Sequence, residues 1–258
     1  DRESIERLLD GLESGEIRAA EPDSDESYGW RARDWVKAGI LGAFSLDEER
    51  EFRAGPLHFR DRESLPPRSP LPDGARVVPG GTAIRRGAYL GDDVVVMPPA
   101  YVNVGAYVDD GTMVDSHALV GSCAQVGRNV HLSAAAQVGG VLEPIQSLPV
   151  IVESDVFVGG GVGLYEGVVV RRGAVIAAGV TLTGSSRLFD MVEEREIRAE
   201  PDAGRPLVVP AGAVVVPGSR SLGGGFAERH GLSLEAPVVV KRRDASTEAS
   251  TALEEALR

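Results

Sequence analysis

From Leu90 onward an aliphatic residue returns at every sixth position. The first run holds Leu90, Val96, Val102, Val108, Val114, Val120, Val126, Leu132 and Val138. After a break containing Pro144 and Pro149 the same register continues through Val152, Val158, Leu164, Val170, Ile176 and Leu182, and Val209 and Val215 resume it later. Four residues after each of the first eight comes a small or β-branched side chain: Val94, Ala100, Ala106, Thr112, Ala118, Ala124, Val130 and Ala136. Only Leu142, at the ninth, breaks that rule. A helix repeats every 3.6 residues and a strand every two, so a period of six belongs to neither. It matches a parallel β-helix, in which each hexad makes one short flat strand and a corner. The aliphatic residue fills the interior, the small residue fits the tight corner, and three hexads of about 18 residues close one triangular coil.

Composition agrees with this mainly β reading. The chain has 258 residues, 43% of them apolar, enough to bury a sizeable core, yet only 5% aromatic, as narrow stacked coils of Val and Ala require. A formal charge of −12 argues against nucleic acid or an anionic membrane surface as the main partner, and leaves any anionic ligand to a local basic patch. The single Cys123 excludes an intrachain disulfide framework. No apolar run approaches a transmembrane or signal length, so a cytoplasmic location is expected. The chain begins at Asp1 rather than Met, and a short native segment is expected ahead of it.

Three regions follow along the chain: a helical N-terminal domain and Pro-rich linker over 1–73, a β-helix over 74–220 with an inserted loop at 187–208, and a C-terminal extension over 221–258. Ile5, Leu8, Leu9 and Leu12 share one helical face and Gly15 stops that helix. A second helix is expected over 32–44, with Trp35, Val36, Ile40 and Phe44 on one face and Trp30 and Trp35 as packing residues. The stretch 65–74 reads as a stiff linker. The charged segment 185–208 interrupts the hexads and reads as a long excursion, a lid or a solvated loop. Gly223, Gly224 and Gly225 read as a hinge without the Lys-Ser/Thr of a phosphate loop. Residues 237–240 read as a strand, and the tail from Ser246 as a weak helix with Thr251 and Glu254 spaced as a capping box.

The non-periodic motifs narrow the reading: RVVP at 76–79, GAYVDDGTMVD at 105–115, VGSCAQVGRNVHLS at 120–133, GGVLEP at 139–144 and VVVKRRDA at 238–245. Together they resemble the tetrahydrodipicolinate N-succinyltransferases of the hexapeptide-repeat acyltransferase superfamily. The resemblance implies a left-handed coil, an exception to the usual right-handed parallel crossover. It implies a homotrimer with sites between neighbouring β-helices, with succinyl-CoA as co-substrate rather than any permanently bound cofactor, and no metal. The implied acceptor is open-chain 2-amino-6-oxopimelate, in diaminopimelate and lysine biosynthesis. The catalytic acids of the family correspond to Asp115 and Glu166. Arg76, Ser185 and Arg187 correspond to acceptor or acyl contacts, and Ala178, Lys241 and Arg242 to contacts with CoA.

The chemistry suits two acids. An α-amine is mostly protonated at pH 7 and must lose a proton before attacking a thioester, so a carboxylate is a suitable acceptor. Asp115 would hold the amine, Glu166 would move the proton, and N–H groups at the glycines of 159–167 would stabilise the oxyanion. Cys123 occupies a hexad position where a small buried thiol is the ordinary occupant. Counted from Leu90, Asp115 lies in the fifth hexad and Glu166 in the twelfth or thirteenth. Either count places them on different faces of the prism, so a composite site is expected, one acid from each of two subunits.

The chain also departs from the family pattern. Where the family has an arginine, a serine and an acid, this sequence has Gly161, Val162 and Gly163, and His117 stands for a tryptophan. His117 offers a rival base. Three further readings stay open: a related CoA-dependent N-acyltransferase with an acetyl donor or another acceptor, an inactive trimeric scaffold, and a lyase holding zinc with three histidines. For the last, the repeat supplies only His117 and His131, with His58 and His230 outside it.

Overall fold

The hexads wind into a parallel β-helix whose two-residue strands form three flat faces. The computed structural model describes residues 1–244 and Thr247. Face one stacks Tyr89–Leu90, Tyr107–Val108, Gln125–Val126, Ile151–Val152, Val169–Val170 and Val208–Val209. Face two runs from Arg76–Val77 through Val95–Val96, Met113–Val114, His131–Leu132, Phe157–Val158 and Val175–Ile176 to Ala213–Val216. Face three stacks Ala83–Ile84, Tyr101–Val102, Leu119–Val120, Gln137–Val138, Gly163–Leu164 and Thr181–Leu182. Tyr89 pairs with Tyr107 and Tyr107 with Gln125, so one coil takes 18 residues.

Every repeating aliphatic residue points inward. Leu132, Leu164, Ile176 and Leu182 are completely buried, as are Val102, Val108 and Val120, and they stack with the small corner residues Ala106, Ala124 and Ala136 into one continuous core. The strands are too short to persist alone; each is held by the coils above and below it. The corners share one conformation. The third residue after the aliphatic one has positive φ at Gly105, Gly111, Gly161, Gly173 and Gly179, and also at Asp93, His117, Cys123, Asn129, Ala135 and Asp155.

Two excursions leave the coil. From Gln125 to its partner Ile151 takes 26 residues rather than 18, because 139–150 bulges out at the corner between faces three and one. It replaces no hexad, so Glu166 belongs to the twelfth. The second excursion is not the structureless loop expected at 185–208. Leu188–Asp190 and Arg195–Ile197 form an antiparallel hairpin that pairs with Val238–Arg242 and extends face two. Leu188 closes the top of the core, fully buried; one apolar anchor inside a charged run is what the sequence reading passed over.

Helices α1 (Arg2–Ser14) and α2 (Asp34–Leu46) cap face one from outside. The Asp1 carboxylate accepts from the Ser4 N–H at 2.8 Å to start α1, and Gly15 closes it in the left-handed region. Ile5, Leu8, Leu9, Leu12, Val36 and Ile40 pack with Val104 and Cys123 of the coil. Further up the face, Arg18 lies 3.7 Å from the centroid of Tyr107, which itself stacks on Tyr89 at 4.4 Å. Trp30 packs against Ile151 and Val169 as expected, with its indole N–H donating to Glu153 at 3.1 Å. Trp35 does not: it is 57% exposed, because the face of α2 turned inward is Val36, Lys37 and Ile40. The α2 helix runs two residues later than the 32–44 expected. Hairpins Ala20–Pro22 with Trp30–Ala32, and Glu49–Ala54 with Leu57–Arg62, were missed, the latter because its strands are charged and largely exposed. The linker carries the buried Leu65. Gly224 precedes a short helix, α3 (Gly225–Arg229). The capping box at Thr251 and Glu254 lies outside the described residues.

Leu132 has no exposed surface and interdigitates with the coils above and below. Leu132→Ala is expected to lower stability by about 2–5 kcal/mol, read from the urea unfolding midpoint at unchanged slope.

Candidate active site

Asp115 leaves the helix at the corner between faces two and three, immediately after Met113–Val114. Its Oδ1 accepts from the Ser116 N–H at 2.7 Å, which fixes the carboxylate on the corner, and its Oδ2 lies 3.9 Å from Nε2 of His131. His131 sits one coil above Met113, edge-on to Phe157 at 5.1 Å. The histidine beside Asp115 is therefore His131 and not His117. The 18-residue coil is the signal that would have found it, since it stacks residue 131 on residue 113. His117 turns to the other side of the corner, where with Tyr101, Leu119 and Gln137 it lines a concavity of about 420 Å³ on face three. Its φ of 63° is the conformation common to these corners and no mark of function.

Glu166 projects from the next corner, between faces three and one, two coils higher. Strand spacing puts that at about 10 Å along the axis. This corner breaks the common pattern: both Glu166, at φ 53°, and Gly167, at φ 72°, are left-handed. Glu166 accepts from the Gly184 N–H at 2.9 Å. It shares a concavity of about 620 Å³ with Ser185, Tyr28, Leu148 and the loop at Arg205. Ser185 thus lies beside Glu166. Arg187 is turned away, hydrogen-bonded through two nitrogens to Glu196, whose carboxyl is brought down to about 2 by hydrogen bonds from Arg187 and Arg198.

Three groups expected at the site have partners within the chain. The Arg242 guanidinium is clamped on Asp190 at 2.8 and 3.4 Å, holding the inserted hairpin to the C-terminal strand. Lys241 pairs with Asp244 at 2.9 Å. The N–H groups of Gly159, Gly161, Gly163 and Tyr165 donate to ladder or corner carbonyls of neighbouring coils, so among the glycines of 159–167 the oxyanion expectation rests on Gly160 and Gly167. Arg76 stands on face two, two coils below Met113 and on the same outer surface. Ala178 lies on the Asp115 edge, where Ala134, Ala135, Gly160, Gly161, Ala178 and Gly179 make a bare strip up the corner. A Cβ added at Gly161 or Gly179 would meet nothing within 4 Å. Cys123 is fully buried and desolvation pushes its thiol up to about 12, which makes it an inert packing group. Among the described residues no three His, Cys, Asp or Glu side chains converge as a metal site, and no helix is long and apolar enough to cross a membrane.

Two family models match parts of the chain. Residues 1–46 match the model described as tetrahydrodipicolinate N-succinyltransferase N-terminal, and residues 149–184 match the hexapeptide repeat of succinyl-transferase. Over its whole length the chain is 44% identical to the 2,3,4,5-tetrahydropyridine-2,6-dicarboxylate N-succinyltransferase of Bordetella pertussis, covering 89% of that protein. The chain belongs to the tetrahydrodipicolinate N-succinyltransferase family. The enzymes of the same description from Acinetobacter baylyi and Idiomarina loihiensis are 43% and 42% identical, each matched over 100% of this chain and 89% of their own length. A solved chain from Campylobacter jejuni overlays at TM-score 0.48 and 16% identity, covering 92% of this chain and 62% of its own, too distant a likeness to add to the argument. Within this N-succinyltransferase fold the inserted hairpin depends on one buried carboxylate.

Burial pushes Asp190 up, but hydrogen bonds from Arg242 and from the Glu193 and Val192 N–H groups outweigh it and hold the carboxyl below the usual range. A lowered folded-state value means the stabilisation is present above the unfolded carboxyl pKa of about 3.9 and is lost as pH falls through the folded value. Arg242→Met is expected to cost about 1–3 kcal/mol at pH 7, because it strands a buried acceptor. The difference from wild type should shrink on acidification below pH 4, measured by urea unfolding across pH.

Proposed function

We propose that this chain is an N-succinyltransferase that moves the succinyl group of succinyl-CoA to the amine of tetrahydrodipicolinate in its open-chain form, 2-amino-6-oxopimelate, working as a homotrimer. The observation that carries the reading is the 44% identity over the whole chain to an enzyme named for that reaction. The distribution of the acids supports a composite site. Asp115 and Glu166 occupy different edges of the prism, so one helix does not aim both at one substrate, whereas two neighbouring helices packed edge to face would.

In this reading Asp115 accepts the proton of the incoming ammonium and orients the free amine toward the thioester carbonyl. The C–N bond forms, the oxyanion collapses, and the C–S bond breaks. Glu166 of the other subunit takes the second proton of the nitrogen as the C–N bond forms and passes it to the departing thiolate, giving the amide and free CoA thiol. The bare strip from Ala134 to Gly179 lies beside Asp115 and suits an extended pantetheine arm, with Ala178 near its upper end. Arg76, on the outer surface below Asp115, suits an acceptor carboxylate through two parallel hydrogen bonds. Ser185 extends the Glu166 concavity, while Arg187 and Lys241 would reach a ligand only by exchanging Glu196 and Asp244 for it.

Thiol release should be seen with succinyl-CoA and an amino-dicarboxylate, and much less with acetyl-CoA; an equal or greater rate with acetyl-CoA would replace the donor. Asp115→Asn and Glu166→Gln are each expected to lower kcat by about 10²–10⁴. Mixing and re-exchanging the two inactive trimers should recover part of the activity through hybrid sites, and no recovery after proven exchange would place both acids in one subunit. Ala178→Trp should raise KM for the acyl-CoA about tenfold or more, close to 1.4 kcal/mol, with the acceptor KM unchanged.

A further inference from the structure

Lys37 is a buried lysine that the proposed chemistry does not use. It lies on the inward face of α2 with no exposed surface, between Val36 and Ile40 and near Cys123. Among the described residues its hydrogen bond goes to the carbonyl of Ser147, in the 139–150 excursion. An ammonium has three N–H groups, and taking it from water costs several kcal/mol unless well compensated. Neither the protonated thiol of Cys123 nor Asp34, one turn earlier, forms a bonded counter-ion. A methionine would fill the same space more cheaply, so the amine needs a reason other than packing.

The excursion supplies one. Leu142 leans on the helical cluster at its start, and Leu148 on the Trp30 cluster at its end. Near the start the backbones of Gly121 and Gly140 approach so closely that a Cβ on Gly121 would lie 2.1 Å from the Gly140 nitrogen. Near the end, Gly167 lies against the Leu148 carbonyl, where an added Cβ would come within 2.6 Å. Between these anchors, Gln146, Ser147 and Leu148 form a wall of the concavity that holds Glu166 and Ser185. Lys37 is the polar tie from the N-terminal domain to the middle of that wall. We propose that Lys37 is a positioning residue: by tying the Ser147 carbonyl to α2 it sets where the wall stands against Glu166, and so how the amino-dicarboxylate acceptor is held.

This rests on the acyltransfer reading for its kinetic consequence but not for its structural one, and the test reads both. In full-length Lys37→Met, amide exchange over 141–148 should quicken about tenfold or more while α1 and the coil ladders keep wild-type rates. The acceptor KM should rise about tenfold with kcat within about threefold, since the lost interaction orients bound acceptor and does not touch the reacting atoms. Unchanged exchange over 141–148 overturns the proposal, and so does faster exchange with an unchanged acceptor KM. If Lys37→Met does not fold, Lys37→Gln, too short to reach Ser147 but still polar, is read in the same way. Should wild type transfer no succinyl group, the function reading fails and the exchange result alone decides whether Lys37 holds the wall.

Discussion

The inward aliphatic residue of each hexad is the constraint from which the rest of the molecule follows. A two-residue strand has neither the length nor the hydrogen bonds to stand alone, and each survives only because its side chain stacks on those of the coils above and below while its backbone joins both. The stack of Val, Leu and Ile therefore sets the coil, the coil sets the three faces, and the faces set the corners. Breaking the stack at the end of a coil is costly, which is why Leu188 of the inserted hairpin returns to close it.

Because the interior is uniform, chemistry is confined to the corners. A corner residue projects outward wherever its hexad falls, and the 18-residue coil decides which residues become neighbours. Asp115 gains His131 from the next coil, and Glu166 gains the Gly184 N–H from the same corner one coil higher. The excursions occur at corners for the same reason: the ladder tolerates extra residues only between strands. The helical domain lies over face one, while Asp115 stands where faces two and three meet, which suits a site completed by a second copy.

Much of this was legible from residues alone. The period located every described strand from Tyr89–Leu90 to Thr181–Leu182, and the apolar faces of α1 and α2 were visible at helical spacing. The separation of Asp115 and Glu166 onto different faces came from counting hexads, and only the length of the 139–150 excursion left the count open. What escaped was whatever depended on contacts remote in sequence. Arg242 reads in sequence as a contact for CoA, and nothing local shows Asp190, 52 residues away, hydrogen-bonded to it. His117, read as a rival base, lines the concavity on face three, and the histidine near Asp115 is His131, stacked there by the 18-residue coil. Trp35 looked like core, but helical phase placed Lys37 inward and Trp35 out.

The sequence by itself determined the coil, because a period of six with apolar residues at one phase has a single way to bury them, and it determined the family through motifs that the period does not require. Only the tertiary structure decided which polar groups are occupied and which are presented. Whether an arginine meets a carboxylate, or a buried lysine a backbone carbonyl, depends on distances between segments that no local pattern encodes, and an ion pair or hydrogen bond loses its strength within a few ångströms.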